Sequence, residues 1–223
     1  MPSHCSDRRR LLVAMGGGAA LCASGISIAE GVPMPKMPDL YTQVPQIGGE
    51  WDVVRLFFSF SCPFSKDWHD AFVKWGRSLP NGMNFLPTPL VTLDDDESYP
   101  SALAFYSVLK ASPARIMDFM VKSYEGVQER KLDPTDVRTY IMAAANAKVD
   151  MKEFGRLMSS QAMSNMVERA GLVRQKYKVA HTPSFGIHGR YVASPEGVAG
   201  NPGLMLQLLN ALVSKSMIEL KKR

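Results

Sequence analysis

The chain has 223 residues, of which 46% are hydrophobic and 21% charged. That is globular composition, and it excludes a mainly disordered chain, a collagen-like repeat and a polytopic membrane protein. Lys and Arg number 26 against 21 Asp and Glu, a net charge of +5. The excess is too small and too scattered for a nucleic-acid interface. Three cysteines, an odd number, exclude a disulfide-stapled scaffold.

Residues 1–29 read as an export leader. Arg8, Arg9 and Arg10 precede an uncharged run from Leu11 to Ala29 that carries Gly16, Gly17, Gly18 and Gly25. The run ends Ser27-Ile28-Ala29, small residues that suit cleavage before Glu30. Paired arginines before a weakly apolar, Gly-rich run resemble a twin-arginine leader; a Sec leader fits the same residues. Left uncleaved, the run is long enough to act as a membrane anchor. Cleavage removes Cys5 and Cys22 and leaves Cys62 as the one cysteine. No internal disulfide is then available. An exported lone thiol is a liability unless it is buried or used.

After an extended, proline-bearing lead-in, Leu40 to Gln46 is predicted as a short edge strand, closed by Gly48-Gly49. Val53 to Phe60 is an apolar, aromatic run typical of a strand buried on both faces. Pro63 to Leu79 carries Trp68, Ala71, Phe72, Trp75 and Leu79 at helical spacing, with Pro63 at its first position. Met83 to Leu93 is a strand that Pro87 and Pro89 confine to an edge or a bulge. From 98 to 178 the apolar residues recur at three and four: Leu103, Tyr106, Leu109; Ile116, Phe119, Met120, Tyr124; Val137, Tyr140, Ile141, Ala144. This predicts a helical insert of four or five helices. Its methionines read as core filling in preference to a partner groove. Ser184 to Ile187 and Gly189 to Ala193 form a hairpin about His188-Gly189, and Pro202 to Leu220 a final helix. The fold class is α/β. The predicted parts are a first sheet segment (30–97), the helical insert (98–178) and a second sheet segment (179–223).

The turn Cys62-Pro63-Phe64-Ser65 between strand and helix carries the chemistry. First-turn backbone N–H groups face a helix N-terminus, and with the helix dipole they favour a thiolate there. Cys62 is therefore the candidate nucleophile. Ser65, three residues on, is placed to offer its hydroxyl to the sulfur; it keeps a donor where a second thiol would resolve a mixed disulfide. Thr182-Pro183, before a strand, is compatible with a cis peptide bond. His181 reads as a loop histidine without a role. His69 lies too far along the helix from Cys62 to share a metal. Asp94-Asp95-Asp96-Glu97 reads as a helix-dipole complement and a solvated loop. No metal site and no cofactor site is indicated.

Phe57-Phe58-Ser59-Phe60-Ser61-Cys62-Pro63 resembles the active-site entry of DsbA-type thiol:disulfide oxidoreductases. Tyr41-Thr42, Leu79-Pro80-x-Gly82, the helical insert and Thr182-Pro183 fall where that family has them. The resemblance spans most of residues 40–220. It implies a thioredoxin fold with an inserted all-helical domain, Cys62 as the nucleophile, and a substrate-binding surface from Pro63, Phe64, Thr182 and Pro183. Three positions depart from the family. Ser65 replaces its second cysteine, Leu56 its buried strand acid, and Phe64 the histidine before its second cysteine. The implied activity is monothiol exchange in the periplasm: mixed disulfides at Cys62 with exported cysteine-containing proteins or small thiols, giving interchange, isomerisation or deglutathionylation. Glutathione as co-substrate, or a membrane redox partner, would complete the cycle. Two other readings use the same residues. One is a redox-inactive DsbA-like chaperone or assembly factor of an envelope system. The other is a Kappa-like glutathione transferase.

Overall fold

The computed structural model describes residues 39–93 and 98–221. The leader, the acidic run 94–97 and the last two basic residues lie outside the described residues. A five-stranded sheet has the order β1-β5-β4-β2-β3. The strands are β1 (Thr42–Gln43), β2 (Val53–Phe58), β3 (Asn84–Pro89), β4 (Ser184–Ile187) and β5 (Tyr191–Ala193). β2 pairs with β3 in parallel and with β4 antiparallel, and β5 lies antiparallel to both β4 and β1.

Each predicted strand is present, β4 with the expected bounds and the others with shorter ends. β3 is the open edge, and its prolines fit that position. The N–H groups of Asn84 and Leu90 donate toward β2, to Asp52 and Phe58 carbonyls at 2.7 Å each. By alternation Pro87 and Pro89 turn to the open side, where a missing N–H breaks no ladder bond and discourages further pairing. The β4–β5 turn needs a left-handed backbone at His188 (φ 60°) and Gly189 (φ 67°). Only glycine fits the second: a Cβ there would lie 2.7 Å from the Ile47 carbonyl oxygen.

Successive β2 side chains face opposite ways. Val54 and Leu56 pack with Phe72 and Trp75 and with Leu209 and Leu212 of the last helix, α8 (Pro202–Lys221). Phe57 faces Tyr177 and Val179. Arg55 is the exception in this apolar run. Its Nε and Nη2 each reach a Glu50 oxygen at 2.6 Å, and Nη1 donates to Thr88 Oγ1 at 3.0 Å. The Tyr177 hydroxyl donates to Glu50 at 3.3 Å and accepts the Gly189 N–H at 3.0 Å. A buried charge survives only when so paired.

The predicted helix after Cys62 is two helices, α1 (Pro63–Asp67) and α2 (His69–Arg77), separated at Trp68. Trp68 packs edge-on against Phe72 at 5.1 Å. Residues 99–177 form five α-helices: α3 (Tyr99–Ala111), α4 (Ile116–Tyr124), α5 (Val137–Asn146), α6 (Met151–Met158) and α7 (Gln161–Tyr177). A π-helical turn, Glu125–Glu129, follows α4. Asp136 and Asp150 cap α5 and α6 through side-chain bonds to first-turn N–H groups. Met120 and Met163 are buried in the helical core and Met117, Met158 and Met166 pack partly against it, whereas Met142 and Met151 are exposed, so core filling accounts for only some of the insert's methionines. Leu109, Val137 and Ile141, assigned to apolar faces by their spacing, are instead exposed at 37%, 37% and 40%. Helical periodicity marks a face without saying how much of it is covered.

The two halves meet at Phe58, the last residue of β2, and Phe60, whose side chains join the helical core. Phe60 touches the rings of Phe119, Tyr124 and Tyr140 at 5.9, 5.1 and 5.7 Å. With Phe58 at 5.2 Å as well, the residue two before Cys62 is fixed by four aromatic neighbours.

Candidate active site

Cys62 caps α1 with extended backbone angles (φ −85°, ψ 117°), and Pro63 takes the first helical position. The Cys62 carbonyl accepts from Ser65 and Lys66 N–H groups at 3.1 and 3.3 Å, which closes the turn. Its thiol is half-buried. Sγ donates to the Thr182 carbonyl at 3.1 Å, across 120 residues of sequence. The Thr182–Pro183 peptide bond is cis. The cysteine turn and the cis-proline loop are therefore in contact.

Beside them runs a groove of about 270 Å³ walled by Phe64, Trp68, Thr182, Pro183, Pro195 and Ala199. Phe64 stands 61% exposed at its rim. Phe64, Thr182 and Pro183, all singled out from sequence, line one groove. Pro63 is exposed at the start of α1 and is not among the lining residues. His181 lines the groove as an exposed loop residue.

Ser65 differs from expectation. Its side chain turns inward, 4% exposed, and Oγ accepts the Ser59 N–H at 3.4 Å. It makes no hydrogen bond to Cys62 Sγ. Three residues past the cap a side chain points to the buried side of the turn, so Ser65 braces the approach to Cys62. Leu56, where the resembled family has an acid, is buried opposite Phe185 of β4.

The π-helical turn supplies contacts that sequence reasoning missed. Gln128 Nε2 donates to the Phe60 and Cys62 carbonyls at 2.8 and 3.0 Å. Lys66 pairs with Glu129 at 2.7 Å, and this hydrogen bond and charge hold the Glu129 carboxyl below its ordinary value. Behind the turn, His69 and Tyr124 meet edge-on at 5.5 Å. Burial holds the His69 imidazole below its usual value, and His69 Nδ1 and the Tyr124 hydroxyl have no hydrogen-bond partner among the described residues. The Gln128 and Lys66 contacts join points more than sixty residues apart, and no local pattern announces them. Among the described residues no group of three His, Cys, Asp or Glu side chains is placed to hold a metal ion, and no helix is long and apolar enough to cross a membrane.

Residues 51–200 match the family model described as Thioredoxin. The chain belongs to the thioredoxin family. Within it, the resemblance is to DsbA-type thiol:disulfide oxidoreductases. The thiol:disulfide interchange protein DsbA of Pseudomonas syringae is 21% identical over 79% of this chain and 80% of its own length. That of Bordetella pertussis is 22% identical over 93% and 96%. The fold is similar to the crystal structure of Pseudomonas aeruginosa DsbA, with a TM-score of 0.71 at 20% identity over 82% of this chain and 95% of that one. It is also similar to a cysteine-to-serine variant of Proteus mirabilis DsbA in complex with a non-covalently bound peptide, PWATCDS. There the TM-score is 0.64 at 16% identity over 81% and 96%. The thioredoxin fold with a helical insertion is thus the architecture of this chain.

Proposed function

We propose that this protein is an exported thiol:disulfide interchange protein that works through one nucleophilic cysteine, Cys62. The observation that carries the reading is the contact of Cys62 Sγ with the Thr182 carbonyl at 3.1 Å, beside an apolar groove. A substrate chain in that groove would lie against Phe64, Thr182 and Pro183 with its sulfur at Cys62. The cysteine-bearing peptide bound by the Proteus mirabilis relative supports exported cysteine-containing proteins as substrates in this reading.

The chemistry balances without a second protein thiol. The Cys62 thiolate attacks a disulfide R–S–S–R′, forms Cys62–S–S–R and expels R′S⁻, which takes a proton from water. A thiol R″SH, glutathione or the substrate's own second cysteine, then attacks sulfur R as its thiolate. It forms R–S–S–R″ and returns Cys62 as a thiolate. The net change is interchange, with no oxidant consumed. Ser65 supports the turn and resolves nothing. The periplasm, reached by a Sec or twin-arginine leader, is the fitting compartment, with glutathione or a membrane redox partner completing the cycle.

The test is mass spectrometry of the purified protein mixed with a peptide–glutathione mixed disulfide. A peptide or glutathione adduct on Cys62, lost in Cys62→Ser, is expected. Ser65→Cys should shorten the adduct's lifetime by adding an internal resolving thiol. Absence of any adduct in the wild type overturns the reading.

A further inference from the structure

We propose that the Cys62 sulfur has two hydrogen-bonding positions, and that the Tyr124 hydroxyl is the donor that receives it as a thiolate. This rests on Cys62 being the nucleophile. In the structure the thiol proton is given to the Thr182 carbonyl at 3.1 Å. A carbonyl oxygen only accepts. Once Cys62 loses its proton, that contact turns from attraction to repulsion, and the sulfur needs a donor.

The fold holds one ready. Tyr124 is 2% exposed, and its hydroxyl has no hydrogen-bond partner among the described residues. Such a buried orphan requires an account. Its ring lies edge-on to Phe60 at 5.1 Å. One turn further along the chain, Gln128 reaches the Phe60 and Cys62 carbonyls at 2.8 and 3.0 Å. The end of α4 and the π-helical turn therefore lie along the segment that ends in Cys62. Burial, and then a negative charge on Cys62, push Tyr124 far above its ordinary value, so it stays a neutral donor at any physiological pH.

The other titratable groups around the turn are paired, buried or open to solvent. Lys66 is paired with Glu129 at 2.7 Å. His69, behind Tyr124, is kept toward the neutral form by burial. Asp67, Asp70 and His181 reach solvent. When the sulfur moves from Thr182 to Tyr124, the Thr182 carbonyl is released to accept a backbone N–H from the substrate. Deprotonation and exposure of a docking acceptor then occur in one movement.

The test compares wild type with Tyr124→Phe, which keeps the ring packing and removes only the hydroxyl. Cys62 alkylation by iodoacetamide is followed across pH, with thermal unfolding measured alongside. The variant should alkylate about tenfold more slowly at neutral pH, with its rate–pH profile moved about one unit alkaline, the worth of one charge-assisted hydrogen bond. Its thermal midpoint should stay level or rise, because the lost hydroxyl was unpaired. An unchanged profile overturns the proposal and leaves the exchange reading standing. A lowered midpoint also overturns it, since the hydroxyl would then have a structural partner. Wild-type Cys62 reacting no faster than in denaturant sinks both readings.

Discussion

On its helical side the Cys62 turn is held by rings and backbone carbonyls, whereas on the loop side it is met at the sulfur. Phe60 is set among Phe119, Tyr124 and Tyr140, and Gln128 ties the Phe60 and Cys62 carbonyls. None of these contacts uses the thiol proton. The cis-proline loop does the reverse: Thr182 touches Sγ and leaves the turn's backbone alone. While Cys62 is protonated the difference separates positioning from reaction, and the proposed Tyr124 contact is the one that crosses it. Changes on the helical side should alter where the sulfur stands and how firmly, and changes on the loop side what it can bind.

The largest blow to that division would come from Phe60→Ala. Emptying a site packed by four rings should cost about 3–5 kcal/mol of unfolding free energy, read from denaturant midpoints. If the folded variant keeps the wild-type alkylation profile, Phe60 itself only holds. A changed profile would mean that it also tunes the thiol.

Gln128→Leu should cost less, about 1–2 kcal/mol for two lost bonds to carbonyls. Mixed-disulfide formation should slow severalfold. Gln128→Glu should be worse than Leu, because it sets a carboxylate against two carbonyl oxygens. Equal effects from the two variants would mean that packing, and not donation, is what Gln128 supplies.

The smallest effect is a pH dependence. Burial holds His69 below the usual imidazole value of 6.5. Its contribution to stability is complete above that value. It is lost as pH falls from 6.5 toward the folded-state value, because the unfolded chain takes up a proton that the folded one resists. The slope is at most about 1.4 kcal/mol per pH unit. Denaturant midpoints of wild type and His69→Gln should converge toward acid pH. Parallel curves would place the acid sensitivity elsewhere.

Much of this molecule is legible in the chain because its signals are local. Strand runs, the prolines of β3, the turn at His188-Gly189 and the Cys62-Pro63 junction each depend on a few neighbouring residues. What escaped depends on contacts across the fold. Gln128 and Tyr124 look like ordinary helix residues until the insert folds over the turn. The inward rotation of Ser65 follows from where the Ser59 N–H lies. The break at Trp68 interrupts a spacing that reads as one helix, since helical spacing continues across a short distortion. Arg55, inside an otherwise apolar strand, was the one sign of the buried Glu50 and Tyr177 partners, and it names neither.

That arginine has a consequence for how the chain reaches its fold. A one-residue slip of β2 against its neighbours would move Arg55 to the opposite face, among Phe72, Trp75 and Leu209, and leave Glu50 without its partner. Apolar residues such as Val54 and Phe57 would tolerate the exchange far better, since both faces of the strand are greasy. The ion pair therefore acts as a proofreader of strand alignment. It penalises the near-miss that hydrophobicity alone would accept, and so sets where along the sheet the cysteine comes to rest.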